Sequence, residues 1–283
     1  MAIFKKPILK ALGGRRNKEM PEGLWTKCPS CGEVIHNIAL TENLNVCPKC
    51  AHHFTLDAHA RIGLLTDPGS FEEMDARMTS VDALEFTGVA SYKNRLEVYQ
   101  EKTGLRDAVV TGIARIDGQK TGLAVMDFHF LAASMGSVVG EKITRVVERS
   151  TREKLPVIIV SASGGARMYE SVLSLMQLAK TCGALAHHAQ ARLPYISVLT
   201  HPTMAGVMAS FASVGDLIFA EPKSMIGFAG PRVIKETTHQ TLPEGFQTAE
   251  FLEKRGLIDA VIPRSRLKSS LAAALGYLSP RGR

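Results

Sequence analysis

Residues 157–168 read VIIVSASGGARM. The β-branched run Val157 to Val160 is apolar at every position, which suits a short strand buried on both faces. Gly164 and Gly165 interrupt it, and residues 166–190, ARMYESVLSLMQLAKTCGALAHHAQ, then carry helical spacing. The same passage from strand through small residues into helix recurs about forty residues later in ISVLTHPTMAGVMASF, residues 196–211. At such turns the missing Cβ lets backbone N–H groups approach a ligand, and the helix N-terminus adds partial positive charge. Two of them side by side can hold one developing oxyanion, or the glycines can simply permit tight helix–sheet packing.

Working outward, AVVTGIARIDGQKTGLAVMDFHF over 108–130 is two β-rich runs joined by Asp117-Gly118, a strong hairpin signal. Residues 138–154 follow as a helix with Val139, Ile143, Val146 and Val147 on one face. Strands are expected over 155–163, 193–200 and 216–222, helices over 166–190 and 205–215, and closing helices within 247–263 and 266–278. Alternation of this kind predicts an α/β fold around parallel strands, and the leading hairpin gives each unit a ββα look. Residues 57–108 read as helix and loop, with one helix ending at Asp67-Pro68-Gly69 and a charged, solvated helix over 92–104.

The chain has 283 residues, 45% of them apolar and 22% charged, enough for a large core, so disorder is excluded as its main state. No apolar run reaches the roughly 18 residues of a membrane-spanning helix. Its formal charge of +7 first suggests nucleic acid as a partner. Residues 1–20 carry six Lys/Arg against Glu19, and five more cations without an acid follow Asp259, so the body over 21–259 is mildly acidic. The N-terminal stretch, with Ile3, Phe4, Ile8, Leu9 and Leu12 among its cations, reads as an amphipathic helix in a solvated or partner-binding tail. It lacks the apolar core and cleavage site of a secretory signal.

Cys28, Cys31, Cys47 and Cys50 form C-x2-C-x15-C-x2-C, the spacing of a four-thiolate zinc site. Four thiolates close a tetrahedral shell and leave no position for a reactive water, so the expected zinc is structural. Pro29, Gly32 and Pro48 supply turn chemistry, and residues 33–46 between the pairs read as strand, turn, strand. Disulfides would need an oxidising compartment, for which there is no signal. Cys182 falls in an apolar helical pattern and is expected as a small buried hydrophobe.

Ordinary nucleophile and cofactor motifs are mostly absent. Residues 161–167 lack the first glycine of a G-x-S-x-G elbow, and no His/Asp pair is placed by the sequence to activate Ser163. His187 and His188 lie mid-helix, where packing is the expected role. His129 and His201 sit near strand ends as polar site residues.

SASGGARM (161–168), PYISVLTHPTMAGVMASFASVGD (194–216), AEPKSMIGFAGPRVI (220–234) and LPEGFQTAEFLEKRGLID (242–259), behind a four-cysteine ribbon, closely resemble the β subunit of the bacterial-type acetyl-CoA carboxylase carboxyltransferase. The likeness runs from about Trp25 to Ile262. It implies a crotonase-like (ClpP/crotonase) spiral of ββα units with a small zinc ribbon, divided as a basic tail over 1–22, the ribbon over 23–56 and the carboxyltransferase domain over 57–283. It implies transfer of a carboxyl group from carboxybiotin to acetyl-CoA, giving malonyl-CoA for fatty acid synthesis. The biotin would be borne by a separate biotin carboxyl carrier protein, within an ATP-dependent holoenzyme that includes biotin carboxylase. A homologous α subunit would complete the site, in an α2β2 heterotetramer in the cytoplasm.

By the same resemblance, backbone N–H groups of Gly164, Gly165, Ala166 and Gly206 would hold the enolate oxygen, and Arg167 and Val207 would stand at the substrate, Arg167 either on a phosphate or in a structural ion pair. The released biotin ureido nitrogen would take the α-proton, which accounts for the absence of a side-chain base. Where the family commonly has two glycines, this chain has Ala205-Gly206; Ala serves there if its φ is negative, which makes Gly206 the expected required position. Two other readings stand beside this one: a crotonase-type decarboxylase subunit, which would not be expected to carry the ribbon, and a nucleic-acid-binding zinc ribbon. Residues 21–61 hold three Lys/Arg against four acids, which disfavours phosphate binding by the ribbon itself and leaves the basic tail for weak, salt-sensitive binding.

Overall fold

The structure, a computed structural model, describes residues 24–88, 90–239 and 241–278. The basic tail, its amphipathic helix, Arg281 and Arg283 lie outside the described residues.

In the ribbon, β1 (Trp25–Lys27) pairs antiparallel with β2 (Val34–His36). The strand expected next is instead a helix, α1 (Asn37–Glu42). Nδ1 of His36 accepts the Ile38 N–H at 3.3 Å as its cap, and Leu40 turns inward onto Ile35, Cys28 and Cys47. A single bridge between Val46 and His53 completes the module.

α2 (Ala58–Leu65) is capped by Asp57 and ends before Asp67-Pro68-Gly69, as its turn residues require. β3 (Glu72–Met74), which three charged or flexible positions hide from pattern reading, adds an edge strand antiparallel to β4 (Val109–Ile116). α3 (Tyr92–Thr103) is not wholly solvated, since Tyr92 and Leu96 are buried. β4 and β5 (Gln119–Met126) form the expected hairpin with Ile116 opposite Gln119. Asp117 and Gly118 both have positive φ, 50° and 75°, as a two-residue type I′ turn demands. The Asp67 carboxylate holds that turn by accepting both N–H groups, at 3.1 and 2.8 Å.

α4 (Ser137–Arg152) buries Val139, Ile143, Val146 and Val147 completely. Then come β6 (Val157–Ser163), α5 (Ser171–Gln190), β7 (Tyr195–Met204) and the single-turn α6 (Ala205–Met208). β8 (Leu217–Ala220), β9 (Ile226–Gly227), α7 (Pro231–Thr238), α8 (Ala249–Glu253), β10 (Ala260–Val261) and α9 (Arg264–Leu278) complete the described chain.

The sheet order is β3-β4-β5-β6-β7-β8-β10, antiparallel through β5 and parallel beyond, with β9 on the far end of β7. This is the mixed α/β spiral expected, with the full ββα hairpin in its first turn, β4-β5-α4. All seven residues of β6 are buried, so the strand that leads to the paired glycines lies in the middle of the core. No helix of the described residues is long and apolar enough to cross a membrane.

Candidate active site and the ribbon that docks beside it

β6 ends at Ser163, and the chain then turns through Gly164-Gly165-Ala166. Gly165 has φ +120°, a conformation open to glycine and strained for any L side chain. The Gly164 N–H donates to the Ala132 carbonyl at 2.8 Å, and the Gly165 N–H to the Ser163 hydroxyl at 3.0 Å. Both are therefore taken within the fold, which corrects their expected role as oxyanion donors. The Ala166 N–H has no hydrogen-bond partner among the described residues and is the donor that this turn offers. Ser163 is buried and donates to the Ala133 carbonyl at 2.6 Å, so it braces the turn and is no nucleophile.

The carbonyls that tie this turn down are those of Ala132 and Ala133, which with Leu131 make three consecutive left-handed residues with φ 46°, 53° and 47°. A non-glycine residue in that region costs about 1–2 kcal/mol, and such outliers gather at functional sites. None of the three is Gly or Asn, so no sequence signal marks them.

The second turn lies against the first. A Cβ on Gly165 would stand 2.6 Å from the Ala205 Cβ and 3.7 Å from the Gly206 nitrogen. Ala205 has φ +50° rather than the negative value expected, and its N–H donates to the Phe228 carbonyl at 3.0 Å. The position that calls for glycine is thus 205, where the chain carries the strain. Gly206 has no left-handed φ, and a Cβ there would meet only ordinary contacts, the nearest being Leu178 at 3.5 Å and the Ala166 Cβ at 3.6 Å. What Gly206 offers is its N–H, without a partner among the described residues. Val207 is fully buried, so only its backbone can face a substrate.

Arg167, expected near substrate, is instead locked inside the fold. Its Nη2 donates to Asp107 at 2.7 Å and to the Ser134 carbonyl at 2.8 Å, Nε to the Ser134 hydroxyl at 3.2 Å, and Nη1 to Ser80 and Tyr92, both at 3.0 Å. Glu170 stands 3.4 Å from Nη1. With every nitrogen engaged and 1% of its surface exposed, no donor remains for a phosphate, and the structural ion pair is its role. Burial pushes the Asp107 carboxyl up, but the Arg167 guanidinium and the Ser80 hydroxyl outweigh it and hold Asp107 below the usual carboxylate range. Gly136 is required here, since a Cβ would sit 2.5 Å from Glu170 and 2.9 Å from Arg167.

The four ribbon cysteines converge, with their sulfurs all within 4.8 Å; Cys28 and Cys50 are 3.6 Å apart and Cys31 and Cys47 3.8 Å. A tetrahedron with metal–sulfur bonds of about 2.3 Å has edges of about 3.8 Å, so the set fits one ion. Cys182 is half-buried rather than fully buried, and burial pushes its thiol up.

The ribbon is bolted to the sheet by Arg264, the first residue of α9. Its Nη1 donates to the carbonyls of Leu44 at 2.8 Å and Asn45 at 3.2 Å, and Nη2 to that of Phe54 at 2.8 Å. Its backbone N–H donates to Nε2 of His53 at 3.2 Å. On the other side Nε and Nη2 reach Glu221, each at 2.8 Å, and Glu221 also pairs with Arg61. All three side chains are buried.

The expected roles of the histidines divide. His188 is fully buried between Thr151 and the Pro194 carbonyl, the packing role expected, and His201 accepts the Met225 N–H at 3.1 Å. His129 pairs with Asp127 at 2.8 Å and stands beside Thr55.

A carboxyl transferase domain model matches residues 56–249, and an acetyl-CoA carboxylase zinc finger domain model matches residues 25–50. The acetyl-coenzyme A carboxylase carboxyl transferase subunit beta of Methylacidiphilum infernorum is 57% identical over 94% of this chain and 96% of its own length. That of Citrifermentans bemidjiense is 53% identical over 98% and 99%. Among solved structures, the transcarboxylase 12S hexamer with methylmalonyl-coenzyme A superposes with a TM-score of 0.67 at 24% identity, over 78% of this chain and 40% of that one. The Pseudomonas malonate decarboxylase MdcD-MdcE hetero-dimer gives 0.61 at 24%, over 81% and 90%. At such identities the two structures speak for the fold.

Proposed function

The chain belongs to the family of acetyl-CoA carboxylase carboxyl transferase β subunits, and from that premise we propose how its backbone transfers a carboxyl group to acetyl-CoA. The N–H groups of Ala166 and Gly206 hold the thioester oxygen as it becomes an enolate. The supporting observation is the contact of two interlocked turns, in which the N–H groups of Ala166 and Gly206 have no hydrogen-bond partner among the described residues. Donors fixed before substrate arrives need no reorganisation as charge develops, and one such donor is typically worth about 10²–10³ in rate. Biotin on its carrier protein supplies the carboxyl group and a base for the α-proton, so this chain needs only to position and to stabilise.

The ribbon cysteines hold one structural zinc, a reading supported by the sulfur spacing. The compartment we assign is the cytoplasm, in keeping with the family. We divide the chain into a tail over 1–22, the ribbon over 23–56 and the catalytic domain over 57–283; two separate hydrophobic clusters support the boundary between the last two.

An α subunit closes the site from outside. Met168, Val172, Leu175 and Met176, directly after the Gly164–Ala166 turn, are all more than half exposed, an apolar patch suited to a partner. The test is malonyl-CoA formation from acetyl-CoA and carboxylated carrier, by the purified chain alone and with α added. Product is expected only with α, and full activity from the chain alone would refute the two-subunit reading.

A further inference from the structure

Arg95, on α3, has no role in the site as described so far. Its Nε is buried without a hydrogen-bond partner, and no carboxylate pairs with its guanidinium among the described residues. The nearby acid Glu170 is already held by Tyr92 and the Ser137 N–H, both at 2.5 Å, and by Arg167. The guanidinium lies 5.7 Å from the ring centre of Tyr99, one helical turn on, and 5.8 Å from that of Tyr169. Tyr169 is itself fixed, stacked on Tyr92 at 5.1 Å and edge-on to Phe86 at 5.5 Å.

This cation lines a pocket of about 250 Å³ together with Leu131, Ala132 and Ala166. The strained 131–133 run and the residue with the open N–H therefore share one pocket with an uncompensated charge. A permanently charged group, partly withdrawn from water and without a counter-ion, is costly to keep unless an anion completes it. Two aromatic rings flank the guanidinium, and its terminal N–H groups have no partner among the described residues, so they remain as donors for a planar or tetrahedral oxyanion.

We infer that Arg95 holds an anionic oxygen of the bound acyl-CoA, between Tyr99 and Tyr169. The inference rests on the acyl-CoA reading above and adds a residue to it. Two parts of such a ligand carry this chemistry: the carboxylate of malonyl-CoA and the phosphates of CoA. Arg95 lines the same pocket as Ala166, whose N–H is assigned to the thioester oxygen, so a group held there lies at the acyl end. That favours the carboxylate, and with it discrimination between malonyl and acetyl thioesters.

The experiment uses the full chain assembled with its α subunit, as wild type, Arg95→Gln and Arg95→Lys. It reads KM and kcat with acetyl-CoA and with malonyl-CoA in the reverse direction, the inhibition constant of free CoA, and the thermal midpoint of each complex. The expected result for Arg95→Gln is a rise of about tenfold in KM for malonyl-CoA, with acetyl-CoA and CoA unchanged and partial recovery in Arg95→Lys. A similar rise for all three ligands would assign the phosphates to Arg95. Unchanged constants for all three, with or without a lowered thermal midpoint, would overturn the inference and leave Arg95 a packing residue. Failure of the functional reading looks different, since the wild-type complex would then process neither thioester.

Discussion

A Cβ placed on Gly165 would stand 2.6 Å from the Cβ of Ala205, so the turns after β6 and β7 interlock, a methyl group on one filling the space that glycine leaves on the other. Gly165→Ala must therefore separate the two turns and also force alanine to φ +120°. The expected outcome is a fall in kcat of about a hundredfold or more, with the thermal midpoint lowered by only a few degrees. Steady-state kinetics beside calorimetry of the assembled enzyme checks it; unchanged kcat would reject the oxyanion assignment.

Ala205→Gly acts in the opposite sense. It relieves the left-handed strain at φ +50°, worth about 1–2 kcal/mol, against about 0.5–1 kcal/mol of added chain entropy in the unfolded state. A stability equal to wild type or higher by up to about 1.5 kcal/mol is expected in urea denaturation. A clear loss would mean that the methyl group's packing against Gly165 outweighs its strain.

Gly206 should tolerate what Gly165 does not. Its nearest would-be contacts, at 3.5–3.6 Å, are ordinary, so Gly206→Ala is expected to fold with stability within about 1 kcal/mol of wild type. Circular dichroism and a melting curve suffice to check this, and an unfolded Gly206→Ala would show that the turn is tighter than its geometry indicates.

Metal removal should reach the catalytic domain. Cys47→Ser, or chelation, is expected to lower zinc content from about one per chain and to loosen the 44–54 segment, whose carbonyls Arg264 uses. Hydrogen exchange would then rise both in that segment and at the start of α9. Exchange confined to the ribbon would show that the two parts are uncoupled.

Acid sensitivity should trace to Glu221. Burial pushes its carboxyl up, but Arg61 and Arg264 outweigh that and hold it far below the usual carboxylate range. The unfolded chain binds this proton near pH 4.3, the folded chain only at much lower pH. The stabilisation is thus complete well above pH 4.3 and is lost as pH falls below it towards the folded value. Glu221→Gln is expected to cost about 3–5 kcal/mol at pH 7 and to flatten the acid limb of stability against pH. An acid limb identical to wild type would remove Glu221 as its source.

Much of this was legible from residues because strong local chemistry wrote it. Asp117-Gly118 can hardly be anything but a tight hairpin turn, the unbroken run Val157–Val160 demands burial, and two C-x2-C pairs converge on one point. Other features had no local signature. α1 replaced a strand because one histidine caps it, and β3 is visible only once β4 lies beside it. Ala205 looked like a tolerable substitute until its φ was known. The roles of Gly164, Gly165 and Arg167 turned on partners such as Ala132, Asp107 and Tyr92, brought close by the fold and by nothing adjacent in sequence. Arg95 was unremarkable in a charged helix until its lack of a partner emerged.

The bond from Arg264 to the Leu44 carbonyl spans 220 residues, and it sets an order of events at the ribosome. The ribbon is synthesised well before its mooring point emerges. At about 5–20 residues per second the metal-bearing module waits on the order of ten seconds or more, tethered but undocked, while the sheet is made. A chain that stops short of α9 would release a finished ribbon beside an assembled sheet, with Glu221 facing Arg61 alone, and quality control would meet a molecule whose two halves are each nearly right.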